Sequence, residues 1–166
     1  MMKTLLVAEY RDGQLLSSTY DLVAFAEKLG ADSAMFMVGS DSCLPQYDGT
    51  LYLADSSRHG EFNPAVHKQL LLDVIAREQP DMVVFSHSSY GWDLAPRIAH
   101  ALKAAQVSEV VDVVDGSLVS PVCNGKMRRA VKARTGQTVI TLQAGAFTLG
   151  NDPVGSPTVE QVETDA

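Results

Sequence analysis

The chain has 166 residues, of which 46% are hydrophobic and 20% charged, and a formal net charge of -7. That is the composition of a single globular domain large enough to bury a full core. The acidic balance argues against nucleic acid as the main partner, because phosphate binding needs a large basic surface. Two cysteines, Cys43 and Cys123, make neither a disulfide framework nor a zinc site, and they point to a reducing compartment.

Met1-Met2-Lys3-Thr4 runs directly into the apolar Leu5-Leu6-Val7-Ala8. This run is too short for a signal sequence or a bilayer span, so a cytoplasmic protein with no membrane contact is expected. Thr4 to Ala8 reads as a first strand, and Arg11-Asp12-Gly13-Gln14 as a turn. A helix is predicted over Thr19 to Leu29, with Leu22, Phe25, Ala26 and Leu29 on one stripe and Gly30 as its stop. Ser33 to Val38 and Leu51 to Ala54 are the second and third strands. Pro64 opens a helix to about Glu78, with Val66, Leu70, Leu71, Val74 and Ile75 on its apolar face. Asp81 to Ser86 is a fourth strand and Asp93 to Ala105 a third helix.

Strands alternating with helices of this length imply parallel pairing and right-handed crossovers. Beyond Val107 the pattern changes. Val110 to Val114, Leu118 to Val122, Met127 to Arg134 and Thr138 to Gln143 all read as strands, the last two joined as a hairpin through Thr135-Gly136-Gln137. The expected fold is therefore α/β and three-layered: a mainly parallel Rossmann-like sheet flanked by helices and extended by antiparallel C-terminal strands. From Thr148 onward Gly, Pro and acidic residues dominate, which reads as a tail or linker rather than core.

The most informative stretch is Ser86-His87-Ser88-Ser89-Tyr90-Gly91, between the fourth strand and the third helix. Open α/β sheets bind ligands beyond the carboxyl ends of their parallel strands. The first helical turn is expected around Asp93 to Pro96, where proline loses no hydrogen bond and Asp93 complements the helix dipole. These six residues are thus a candidate nucleotide-binding or interface loop, the competing reading being a plain connection. Tyr90 and Trp92 would place an aromatic pair on this loop, to stack on an adenine or flavin ring, cover a sheet edge or meet a partner.

No phosphate loop, dinucleotide glycine pattern, zinc-binding helix or nucleophile elbow is present. His59, His67, His87 and His100 lack metal-ligand spacing. His87 is the best placed to donate to a ligand or act as a base, although a hydrogen bond to its own loop is the simpler role. Lys126, Arg128, Arg129, Lys132 and Arg134 crowd one late segment; read as a strand, it sends Arg128, Lys132 and Arg134 to one face. A solvated sheet face is the ordinary explanation, a dock for an acidic partner or a phosphate the sharper one.

Four segments taken together resemble the N-terminal domain of the electron transfer flavoprotein alpha subunit. They are Leu5-Leu6-Val7-Ala8-Glu9, Tyr90-Gly91-Trp92-Asp93-Leu94-Ala95-Pro96-Arg97, Ser120-Pro121-Val122-Cys123-Asn124-Gly125 and Thr141-Leu142-Gln143-Ala144-Gly145-Ala146-Phe147. The second is the most specific, and all four fall in the family's order. The resemblance implies a domain over 1–147, a fold like the adenine nucleotide alpha hydrolases, and a tail or truncated linker over 148–166. It also implies a beta-like subunit or separate flavin domain as partner. In the family FAD belongs mainly to a second, C-terminal domain, so FAD binding by this chain alone is not expected, whereas AMP remains open. Trp92 stands where the family usually has a basic residue, Cys123-Asn124-Gly125-Lys126 replaces a tyrosine-alanine-glycine-asparagine turn, and Gln143 replaces an arginine.

The expected function is a non-catalytic module of flavoprotein electron transfer that lacks the FAD-binding domain, and so a component rather than an enzyme. The alternatives are a stand-alone adenine nucleotide (AMP or ATP) binder and, behind it, a small hydrolase using His87. A homodimer is expected if the surface that meets the missing domain is apolar.

Overall fold

A computed structural model describes residues 1–166. The chain runs β1 (Lys3–Val7), β2 (Tyr10–Arg11), β3 (Gln14–Leu15), α1 (Thr19–Leu29), β4 (Asp32–Gly39), β5 (Thr50–Asp55) and α2 (Ser56–His59). It continues with α3 (Pro64–Glu78), β6 (Met82–Ser86), α4 (Ser89–Leu102), β7 (Ala105–Val110), β8 (Asp112–Val114), β9 (Ser117–Val122), β10 (Met127–Val131), β11 (Thr138–Leu142) and β12 (Thr158–Gln161).

Seven strands form one sheet in the order β12-β5-β4-β1-β6-β11-β7, with every pairing parallel. Both faces are covered, as an all-parallel sheet requires. Alternate residues of each strand point to opposite sides. Leu5, Val7, Phe36 and Phe85 pack under α3 and α4, whereas Leu6, Met35, Val84 and Ile140 pack under α1 and the small sheet formed by β8 to β10. The three-layer α/β architecture expected from the alternation of elements is the one observed.

Local chemistry sets the helix bounds. Gly30 takes the left-handed conformation (φ 62°) that closes α1, and Asn63 caps α3 by accepting from the Val66 N–H, with Pro64 in the first turn. The Asp12-Gly13 turn between β2 and β3 has positive φ at both residues, as a two-residue hairpin demands.

Four readings are corrected. Helix α4 begins at Ser89, not near Asp93; Ser88 is its cap, and Pro96 lies inside the helix rather than in its first turn. The hairpin expected between β10 and β11 does not form. Thr138–Leu142 is buried throughout, the pattern of a central parallel strand, and inserts between β6 and β7. Strand β10 is largely exposed and pairs only with β9, so the antiparallel strands form their own sheet instead of extending the main one. Finally, the Gly- and Pro-rich stretch after Thr148 returns to the sheet: β12 pairs with β5, and Val162 is buried in the core beside it.

Candidate functional site at the sheet switch point

Strand β1 is flanked by β4 on one side and β6 on the other, and the chain leaves the two neighbours toward opposite faces of the sheet. The crevice of a doubly wound sheet lies at such a reversal, beyond the carboxyl ends of the strands. Here Glu9, two residues past β1, meets the link between β6 and α4.

That link is very short. Only His87 and Ser88 separate β6 from α4, because the helix must start close against the strand. Gly91 permits the approach: a Cβ there would sit 2.0 Å from the Ser86 carbonyl oxygen. The Ser88 N–H donates to the same carbonyl at 2.9 Å, and the Ser88 hydroxyl oxygen accepts from the Gly91 N–H at 3.1 Å. The Ser88 hydroxyl in turn donates to the Glu9 carboxylate. Glu9 is only 6% exposed, and burial holds its carboxyl above the ordinary carboxylate range despite the Ser88 donor and the nearby Arg11.

His87 is fully engaged. The Trp92 indole N–H donates to its Nε2 at 2.8 Å; an indole can only donate, so the imidazole proton is on Nδ1. Nδ1–H donates to the buried Thr141 hydroxyl oxygen at 2.9 Å, which also accepts the Glu109 N–H at 2.8 Å. The base role considered for His87 has no free ring nitrogen to serve it in this arrangement.

The aromatic pair expected on the loop is split. Trp92 is 67% exposed on the His87 side, whereas Tyr90 is buried against α3. The Tyr90 hydroxyl donates to His67 Nδ1 at 2.8 Å, and His67 Nε2–H donates to the Gly60 carbonyl at 2.8 Å. Burial lowers the His67 pKa and raises that of Tyr90. Of the six candidate residues, Ser86, His87 and Ser88 thus line the strand end, and Ser89, Tyr90 and Gly91 form the first helical turn. The residues missed are Arg11, Glu61 and Phe62, brought to the same crevice by the β2–β3 hairpin and the segment before α3. A carboxylate directly after an apolar strand was the available signal for Glu9.

Elsewhere, no group of His, Cys, Asp or Glu is arranged to hold a metal ion. No helix is long and apolar enough to cross a membrane. Cys43 accepts the Leu15 N–H at 3.2 Å, and Cys123 lies exposed in the turn before β10.

Fold and crevice define a doubly wound α/β domain whose switch point is bridged by its own Glu9 and Ser88. Residues 4–166 match the family model described as the electron transfer flavoprotein domain, and the chain belongs to that family. It is similar to the electron transfer flavoprotein subunit alpha of Bacillus subtilis, 28% identical over 146 residues covering 75% of this chain and 42% of that protein. The alpha subunit of Pseudomonas aeruginosa is 25% identical over 173 aligned positions, covering 99% of this chain and 55% of the relative. For Mycobacterium tuberculosis the figures are 26% over 156, 88% and 48%. The chain spans about half the length of the curated relatives it matches.

Proposed function

We propose that these 166 residues act as a non-catalytic module of a flavoprotein electron-transfer system, docking on a beta-like subunit or a flavin domain that carries the FAD. The carrying observation is the family match along 4–166, joined to a switch point occupied by the protein's own side chains. With the Ser88 hydroxyl given to Glu9, the Gly91 N–H given to Ser88, and both His87 nitrogens engaged, the segment Ser86 to Gly91 serves as a positioning element between β6 and α4. The module comprises residues 4–166, with β12 closing the edge of the sheet. A cytoplasmic setting accords with the two free thiols.

Binding of AMP or ATP has less to recommend it, because a phosphate at the start of α4 would face the Glu9 carboxylate. Two measurements test the reading. The purified chain is expected to be colourless, and to co-elute with a beta-type electron transfer flavoprotein subunit on co-expression. Tight, stoichiometric flavin in the chain alone, or elution only as a homodimer with the subunit excluded, defeats it.

A further inference from the structure

Beside the Glu9–Ser88 bond the crevice opens into a cleft of about 240 Å³. Its wall is aromatic: Tyr10, Phe62 and Tyr90 line it, with the Phe62 and Tyr90 rings edge to face at 6.1 Å. Phe62 is 58% exposed there, a large apolar ring left uncovered at the mouth.

Three charged groups reach this space, and they differ in what holds them. Both carboxylate oxygens of Glu61 are engaged by the Asp12 and Gly13 N–H groups at the hairpin tip. Glu9 is buried, yet only Oε1 has a protein donor; Oε2 has none and is not sealed off from the cleft. Arg11 makes no ion pair with any acid, although it lies near enough to Glu9 to favour its ionised form. A carboxylate oxygen that is open to the cleft and has no protein donor is free to accept from a donor that enters it.

We propose that this cleft binds a small zwitterion with an apolar side chain, an α-amino acid of the phenylalanine or leucine type, its ammonium on Glu9 and its carboxylate on Arg11. The side chain lies against Phe62 and Tyr90, where ring edges and faces favour apolar and aromatic groups. A simple amine would satisfy Glu9 but meet the unneutralised Arg11. A simple carboxylic acid would satisfy Arg11 and be repelled by Glu9. A nucleotide would bring two phosphate charges to a site with one arginine and a buried carboxylate. Binding here is independent of any flavin partner, so it stands or falls separately from the docking role.

Calorimetry of the intact 166-residue chain with L-phenylalanine is expected to give a Kd of about 1 mM or tighter. Phenethylamine and 3-phenylpropionate should each bind more weakly by about tenfold or more. Amide shifts on phenylalanine addition should fall at 8–11, 61–62 and 89–90. Glu9→Gln should abolish binding with an unchanged circular dichroism spectrum. Arg11→Met, at an exposed position, should erase the preference for phenylalanine over phenethylamine. Silence toward both phenylalanine and leucine at about 10 mM overturns the assignment. So does equal affinity for the amine, shifts confined to other residues, or AMP perturbing these amides where amino acids do not.

Discussion

His67 shows how one buried side chain ties stability to pH. It is fully buried, donates through Nε2 to Gly60 and accepts through Nδ1 from Tyr90, an arrangement that requires the neutral ring. Burial places its folded pKa below the ordinary value of 6.5. On acidification the unfolded chain takes up that proton first, so the stabilisation is complete above about 6.5 and is lost as pH falls toward the folded value. Glu9 works in the opposite sense. Its folded pKa is raised above 4.5, so its contribution is greatest below 4.5 and fades as pH rises through the folded value. Between pH 8 and pH 5 the urea midpoint of the parent should therefore fall relative to that of His67→Gln, whatever the opposing contribution of Glu9. Replacing Tyr90 by Phe should cost about 1–3 kcal/mol, because it leaves the buried His67 Nδ1 without a donor. Parallel pH slopes in the parent and His67→Gln would remove His67 as the cause.

At the scale of elements, the junction of β6 with α4 is the most sharply constrained. Gly91→Ala would push a Cβ into the Ser86 backbone carbonyl, which cannot rotate away as a flexible side chain could. Alanine gains up to about 1 kcal/mol in helix propensity, but overpacking at backbone typically costs about 1–3 kcal/mol. Net destabilisation in chemical denaturation is the expected outcome, and a neutral or stabilised variant would mean that α4 can shift away from β6. The sequence made α1 and α3 legible because each carries its own punctuation: Gly30 after one, Asn63-Pro64 before the other. It misled at α4, where Pro96 looks like a first-turn proline while Ser88, the real cap, sits among other serines. It misled again at β11. Val139-Ile140-Thr141-Leu142 beside a Gly-containing turn resembles half a hairpin, and only burial on both faces reveals a central strand. Most of the crevice was also hidden, since Arg11, Glu61 and Phe62 lie far from Ser88 in sequence and converge only through tertiary packing.

For the whole molecule, the sheet is one continuous plate separating two apolar layers, and its left edge is closed by the last strand. Removing 157–166 deletes β12, withdraws Val162 from the core and uncovers the backbone edge of β5. Losing the Val162 burial alone costs about 1.5–3 kcal/mol, and an uncovered edge strand invites pairing with another chain. The truncated protein should unfold at lower denaturant and show concentration-dependent association by light scattering. A monomer with an unchanged midpoint would reduce β12 to a passive addition. Composition concealed this strand, because Gly, Pro and acidic residues surround it and its side chains are mostly exposed. Pairing with β5 supplies what its own pattern does not.

The shared direction of all seven strands also fixes where the two termini come out. Met1 enters at the far rim of the plate, ahead of β1, whereas Ala166 emerges at the near rim, lining a depression with His59, Gly60 and Asn63 just beside Glu61 and Phe62. An affinity handle, fluorophore or immobilising tether placed behind Ala166 therefore stands at the threshold of the cleft. The same attachment ahead of Met1 hangs a full strand length away and leaves the threshold clear.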